Sequence, residues 1–136
     1  MSNVEKTFSI IKPDAVERNL DNEIKQIFEN KGFRILKEKK IQIEKSEAEK
    51  FYKVHETKPF YDELCNYLSS GPIIAMILEK ENAVLANREL MGATNPKEAE
   101  EGTIRKKYGI SIDKNSVHGS DSPENAKIEI DFFFKD

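Results

Sequence analysis

Apolar and polar positions alternate with clear changes of period along the chain. Thr7–Ile11, TFSII, is short, apolar and partly β-branched, which predicts a buried strand. Pro13 and Asp14 follow. They suit a first helical turn, where a proline gives up no needed N–H and an acid faces the positive end of the peptide dipoles. Ile24, Ile27 and Phe28 recur at helical spacing, and Gly32 supplies the stop. Phe33–Ile43 predicts a longer strand with its charged positions on an exposed side. Ser46 and Glu49 form a capping-box pattern, predicting a helix through Phe51 and His55. Pro59 begins another turn or helix carrying Phe60, Leu64 and Leu68, ended by Ser70-Gly71-Pro72.

Ile73–Leu78, IIAMIL, is wholly apolar and predicts a central strand. Asn82 is placed to cap a helix through Leu85 and Met91. From Gly92 to Ser116 periodicity nearly vanishes, apart from a short helix predicted at Thr103–Tyr108. A segment of that length is usually functional or disordered in a compact domain. Ser116–His118 predicts a last short strand, and Ser122 a cap for a terminal helix carrying Ala126, Ile130, Phe133 and Phe134. Strands separated by helices in this order predict an antiparallel or mixed sheet with helices on one face, the split βαβ plan. The length, 136 residues, fits one domain spanning positions 1–136.

Composition changes the picture mainly by exclusion. Charged residues are 35% of the chain, yet the signs nearly cancel to a net of −3. A nucleic-acid binder would favour a clearly basic domain or patch, so nucleic acid is not expected as the main partner. Lys31–Glu38 starts like the RNA-binding RNP1 pattern but carries Arg34 and Ile35 where a small and an aromatic residue are needed. The single cysteine, Cys65, is expected to be a core or groove residue in a reducing compartment. The charged N-terminus has no apolar signal region, and no stretch approaches the roughly 18 apolar residues of a membrane span. A soluble cytoplasmic protein with no membrane partner is the expectation.

The candidate chemistry gathers around one loop. Asn115–Ser122, NSVHGSDS, holds His118, one of only two histidines. Gly119 frees the backbone beside it, and Ser120, Asp121 and Ser122 supply hydroxyls and an acceptor. A neutral imidazole attacks phosphorus well when its other nitrogen donates to a carboxylate. Local evidence alone leaves His118 open between a nucleophile and a structural histidine. A zinc site needs three or four ligands, and His55, Cys65 and His118 show no ligand spacing, so no protein metal site is expected. His55, flanked by Lys53 and Lys58, reads as structural. Neither G-x-x-x-x-G-K-[ST] nor G-x-G-x-x-G occurs. Phosphates would have to be met by side chains, with Lys12, Arg88 and Arg105 as candidates.

Ile10–Val16 (IIKPDAV), Ala93–Arg105 (ATNPKEAEEGTIR) and Asn115–Ser122 together closely resemble the nucleoside diphosphate kinase family. The resemblance runs from Thr7 to Phe134. It implies a ferredoxin-like α/β sandwich: a four-stranded antiparallel sheet with helices packed on it. It implies transfer of the γ-phosphoryl group of a nucleoside triphosphate to a nucleoside diphosphate by a ping-pong route, with broad base and sugar tolerance, maintaining nucleoside triphosphate pools. His118 matches the phosphorylated histidine and Glu129 the carboxylate that orients it. Lys12, Tyr52, Arg88, Thr94, Arg105 and Asn115 match residues around phosphates and ribose. Phe60 matches the ring that stacks on the base, with Ile112 facing it. Magnesium would arrive on the nucleotide's phosphates, with Asp121 able to reach it through water. A homo-oligomer is implied, hexamer ahead of tetramer. Glu101, Lys106 and Lys107 depart from the family's usual residues, which bears on loop packing and subunit contacts rather than on the reaction. The competing expectation is a nucleotide-binding or regulatory domain of the same fold with reduced catalysis.

Overall fold

The computed structural model describes residues 4–112 and 114–134. The expectation of one domain over 1–136 therefore includes positions outside the described residues. Four strands, β1 (Val4–Ile11), β2 (Arg34–Ile41), β3 (Ile73–Glu81) and β4 (Val117–Gly119), form one sheet in the order β2-β3-β1-β4. Every neighbouring pair is antiparallel, the ferredoxin-like arrangement. The apolar run IIAMIL lies in an interior strand, as its composition predicts. The β2–β3 register slips between Ile35 and Lys37, a bulge in an edge strand whose positions are mostly exposed.

Helices cover both faces of the sheet, not one. Ile74, Met76 and Leu78 of β3 pack with Ile11, Val117 and four helices: α1 (Pro13–Glu17), α2 (Asp21–Asn30), α5 (Ala83–Met91) and α6 (Ile104–Tyr108). Ile73 and Ala75 point the other way and pack with Phe8 and Ile10 against α3 (Lys45–Phe51), α4 (Tyr61–Leu68) and α7 (Pro123–Phe133). Successive strand residues face opposite sides, so an unbroken apolar run is what a strand covered on both faces needs.

Two caps differ from expectation. The box on α3 is Glu44 with Glu47, whose carboxylate accepts from the Glu44 N–H at 3.1 Å. Ser46 and Glu49 lie inside the helix. That helix stops at Phe51, and His55 ends a separate 3-10 turn, Lys53–His55. Asn82 precedes α5 in a left-handed conformation and makes no side-chain cap. Glu5 does the work from β1, accepting from the Val84 N–H at 2.8 Å. Ser122 caps α7 as expected, accepting from the Asn125 N–H at 3.1 Å.

Candidate active site

The short strand β4 sets the geometry. Ile10 pairs with His118, Ser9 with Gly119 and Ile11 with Val117. Alternation places the His118 ring on the Phe8 side of the sheet, 5.2 Å from the Phe51 ring and 6.3 Å from Phe8, each edge-on. Gly119 turns to the opposite face, under α5. A Cβ built there would fall 2.3 Å from the Asn87 amide nitrogen and 2.7 Å from the Met91 methyl. Glycine is needed at 119 for close helix–strand packing, where the sequence suggested backbone freedom.

Two turns into α7, Glu129 faces the histidine. Its Oε1 lies 3.0 Å from His118 Nε2 and accepts from Ser120 Oγ at 2.7 Å. A carboxylate only accepts, so Nε2 carries the proton and Nδ1 keeps the in-plane lone pair. Both side chains are about one-fifth exposed, sheltered yet reachable.

His118 opens into a cleft of about 770 Å³ lined also by Lys12, Tyr52, Phe60, Arg88, Thr94, Arg105, Ile112, Asn115 and Asp121. The candidate residues thus converge, with Glu129 behind His118 rather than in the cleft wall. Lys12 is buried at the end of β1, and its Nζ donates to Asn115 Oδ1 at 2.9 Å. Asn115 Nδ2 donates in turn to the Thr94 carbonyl at 3.0 Å. One amide therefore straps the strand end to the long loop. Arg105, buried in α6, donates to the Gly92 and Val117 carbonyls, each at 2.9 Å. Burial, with Arg88 nearby, lowers its pKa to about 10, so it stays charged at neutral pH. Burial raises the Tyr52 hydroxyl above its usual range, which keeps it a donor. Phe60 and Ile112 are 43% and 55% exposed, large apolar groups at the mouth. Such exposure in a cleft suits a slot for a flat partner.

Several residues of the cleft lining escaped the sequence reading, Leu85 and Glu89 of α5 among them. His55, read as structural, lines the cleft, its ring 6.1 Å from both Tyr52 and Phe60. Its Nδ1 is buried with no hydrogen-bond partner, and burial, then Lys58 and His118, lowers its pKa. Only its spacing from Tyr52 hinted at this, because a 3-10 turn returns to the same side after three residues. Leu64 of α4 and Lys58 also border the cleft. Among the described residues no group of three or more His, Cys, Asp or Glu side chains is placed to hold a metal ion. No described helix is long and apolar enough to cross a membrane.

Known proteins share this sequence and fold. The sequence model of the nucleoside diphosphate kinase family matches residues 5–136. A nucleoside diphosphate kinase of Persephonella marina is 57% identical over 131 residues, covering 96% of this chain and 94% of the relative. One of Campylobacter jejuni is 58% identical over 132 residues, covering 97% and 96%. The solved structure of the Aquifex aeolicus nucleoside diphosphate kinase superposes with a TM-score of 0.94 at 41% identity, over 96% of this chain and 95% of that one. With the fold, the cleft and these likenesses in hand, the chain belongs to the nucleoside diphosphate kinase family and is an enzyme, a kinase of nucleotide metabolism.

Proposed function

We propose that the enzyme carries the γ-phosphoryl group from a nucleoside triphosphate to a nucleoside diphosphate on His118, in two half-reactions at one cleft. The observation that carries this reading is the 3.0 Å bond from Nε2 to Glu129, which leaves Nδ1 as the nucleophile. In the first half-reaction the Nδ1 lone pair forms the N–P bond as the bond from the γ-phosphorus to the bridging oxygen breaks. The nucleoside diphosphate leaves with that electron pair. The ring gains positive charge, and Glu129 stabilises it through the Nε2 proton. In the second, a terminal oxygen of another nucleoside diphosphate attacks the same phosphorus and the N–P bond breaks.

Phosphoryl transfer asks the protein mainly for position and charge. Lys12 and Arg105 bring cations to the cleft from buried positions, and Arg88 brings one from an exposed helix position. There they would meet phosphate oxygens whose charge shifts during transfer. Tyr52, Thr94 and Asn115 provide polar groups for phosphate and ribose. Phe60 and Ile112 would grip the faces of the base without reading its edge, hence broad base tolerance and a role in maintaining nucleoside triphosphate pools. Magnesium bound with the nucleotide would neutralise phosphate charge. Of the two carboxylates lining the cleft, Glu89 and Asp121, Asp121 is the one we assign to reach it through water, its Oδ1 held by Asn125 Nδ2 at 2.6 Å. One or two carboxylates fit a metal that arrives with its substrate better than a resident one. We also assign a cytoplasmic address and a homo-oligomer, hexamer ahead of tetramer, which light scattering would test.

Steady-state kinetics test the mechanism. Varying ATP at several GDP concentrations should give parallel double-reciprocal lines, the signature of a covalent relay. Intersecting lines would require both nucleotides to be bound together and would overturn it.

A further inference from the structure

Ser116 stands between Asn115 and the strand that carries His118, and its backbone is unusual. Its φ is +74°, a region that residues other than glycine enter only when the surroundings hold them there. The Val117 N–H bonds back to the Asn115 carbonyl at 2.9 Å. A bond spanning three residues around a positive φ is the rare and strained form of the γ-turn. Neither Gly nor Asn occupies the position, so contacts around the residue have to hold it there.

The restraint comes from the segment after β1. Ser116 is fully buried, and its Oγ donates to Asp14 Oδ2 at 2.9 Å. Its carbonyl accepts from the Lys12 N–H at 2.9 Å. Asp14 is itself buried and fixed from several sides. Tyr67 donates its hydroxyl to Oδ1 and accepts from the Asp14 N–H at 2.8 Å. Arg18 donates to Oδ2 at 3.0 Å, to Ser116 Oγ at 3.3 Å and to the Tyr108 carbonyl at 2.7 Å. A buried carboxylate with this many donors is rigid.

We propose that Asp14 and Ser116 form a positioning clamp that holds the strained turn and so keeps Asn115 in register with Lys12 and His118 in register with Glu129. The clamp touches no nucleotide and acts through those residues. It rests on the reading of the cleft given under Proposed function.

Two substitutions at one position separate conformation from mere packing. Ser116→Ala removes the hydroxyl but keeps the Cβ that disfavours positive φ. Ser116→Gly removes both, and glycine adopts positive φ without a clamp. Ser116→Ala is expected to lower the rate of phosphoryl transfer from ATP by about 10- to 100-fold, with the KM for ATP changing far less. Ser116→Gly is expected to retain most of the rate. Crystal structures of both variants give a readout independent of activity. The Ala variant is expected to leave the positive-φ turn and lose the Lys12–Asn115 bond, and the Gly variant to keep both. The proposal is overturned if Ser116→Ala keeps the turn, or if the two variants lose activity equally. Tyr67→Phe guards against an Ala variant that does not fold. It removes one brace of Asp14 and is expected to cost roughly two- to fivefold in rate; an unchanged rate would count against the clamp. A wild-type protein that transfers no phosphoryl group while the crystallographic differences hold would refute the proposed reaction and leave the clamp standing.

Discussion

Replacing Glu129 by Gln isolates the charge behind the nucleophile. The amide keeps the size of the side chain and retains an oxygen able to accept from His118 Nε2 and Ser120 Oγ, which now lie 3.0 and 2.7 Å from Oε1. What disappears is the negative charge. A hydrogen bond to a charged group contributes about 1.5–3 kcal/mol and a neutral one about 0.5–1.5 kcal/mol. The difference, about 1–2 kcal/mol, corresponds to roughly 5- to 30-fold in rate. It falls on the chemical step, because the ring becomes positive only as the N–P bond forms. Glu129→Ala forfeits the whole bond and should cost roughly 10- to 150-fold. The assay is rapid-quench measurement of phosphoenzyme formation from γ-labelled ATP, with thermal melts confirming that each variant is folded. The KM for ATP should change little. A Gln variant that phosphorylates within about twofold of wild type would show that Glu129 is an ordinary helix charge.

Other consequences are equally open to measurement. Gly119→Ala drives a methyl against Asn87 and Met91, at 2.3 and 2.7 Å; overpacking should lower stability by about 1–3 kcal/mol in chemical denaturation and depress activity as β4 shifts. Phe8 is fully buried and stacks on Phe133 at 5.1 Å; Phe8→Ala should cost about 3–5 kcal/mol, read from urea midpoints. His55 binds a proton less readily when folded than when unfolded, because burial, Lys58 and His118 all lower its pKa from 6.5. Its contribution to stability is therefore present above about pH 6.5 and lost as the pH falls through the folded value. His55→Gln should flatten the decline in urea midpoint between about pH 7 and pH 5, and an unchanged slope would show that another group governs it.

The strand and helix pattern was legible because the apolar runs are long and sharply bounded. TFSII and IIAMIL announce buried strands, and Ile24, Ile27 and Phe28 announce one helix face. The second helical layer was missed because apolar continuity was read as centrality alone, although Ile73 and Ile74 must each find cover on opposite faces. The misplaced cap on α3 reflects two overlapping patterns, Glu44–Glu47 and Ser46–Glu49, that local chemistry does not rank. The candidate site was less legible from physics. Lys12 and Asn115 lie 103 positions apart, and only the family resemblance brought them together before the fold did. His55 was missed because Lys53, Glu56 and Lys58 crowd it in sequence, whereas aromatic rings lie beside it in space. The left-handed turn at Ser116 has no compositional signal, since the side-chain partner of Ser116, Asp14, lies across the fold.

The most direct test is to isolate the phosphorylated protein. Purified enzyme would be incubated with γ-labelled ATP, freed of nucleotide, and analysed by intact mass and by phosphorus NMR before a chase with GDP. The expected result is one phosphoryl group per chain on Nδ1 of His118, lost in acid, kept in base, and passed quantitatively to GDP. His118→Ala should take up none. Label that survives acid, that persists in His118→Ala, or that fails to chase into GTP would contradict the phosphohistidine relay.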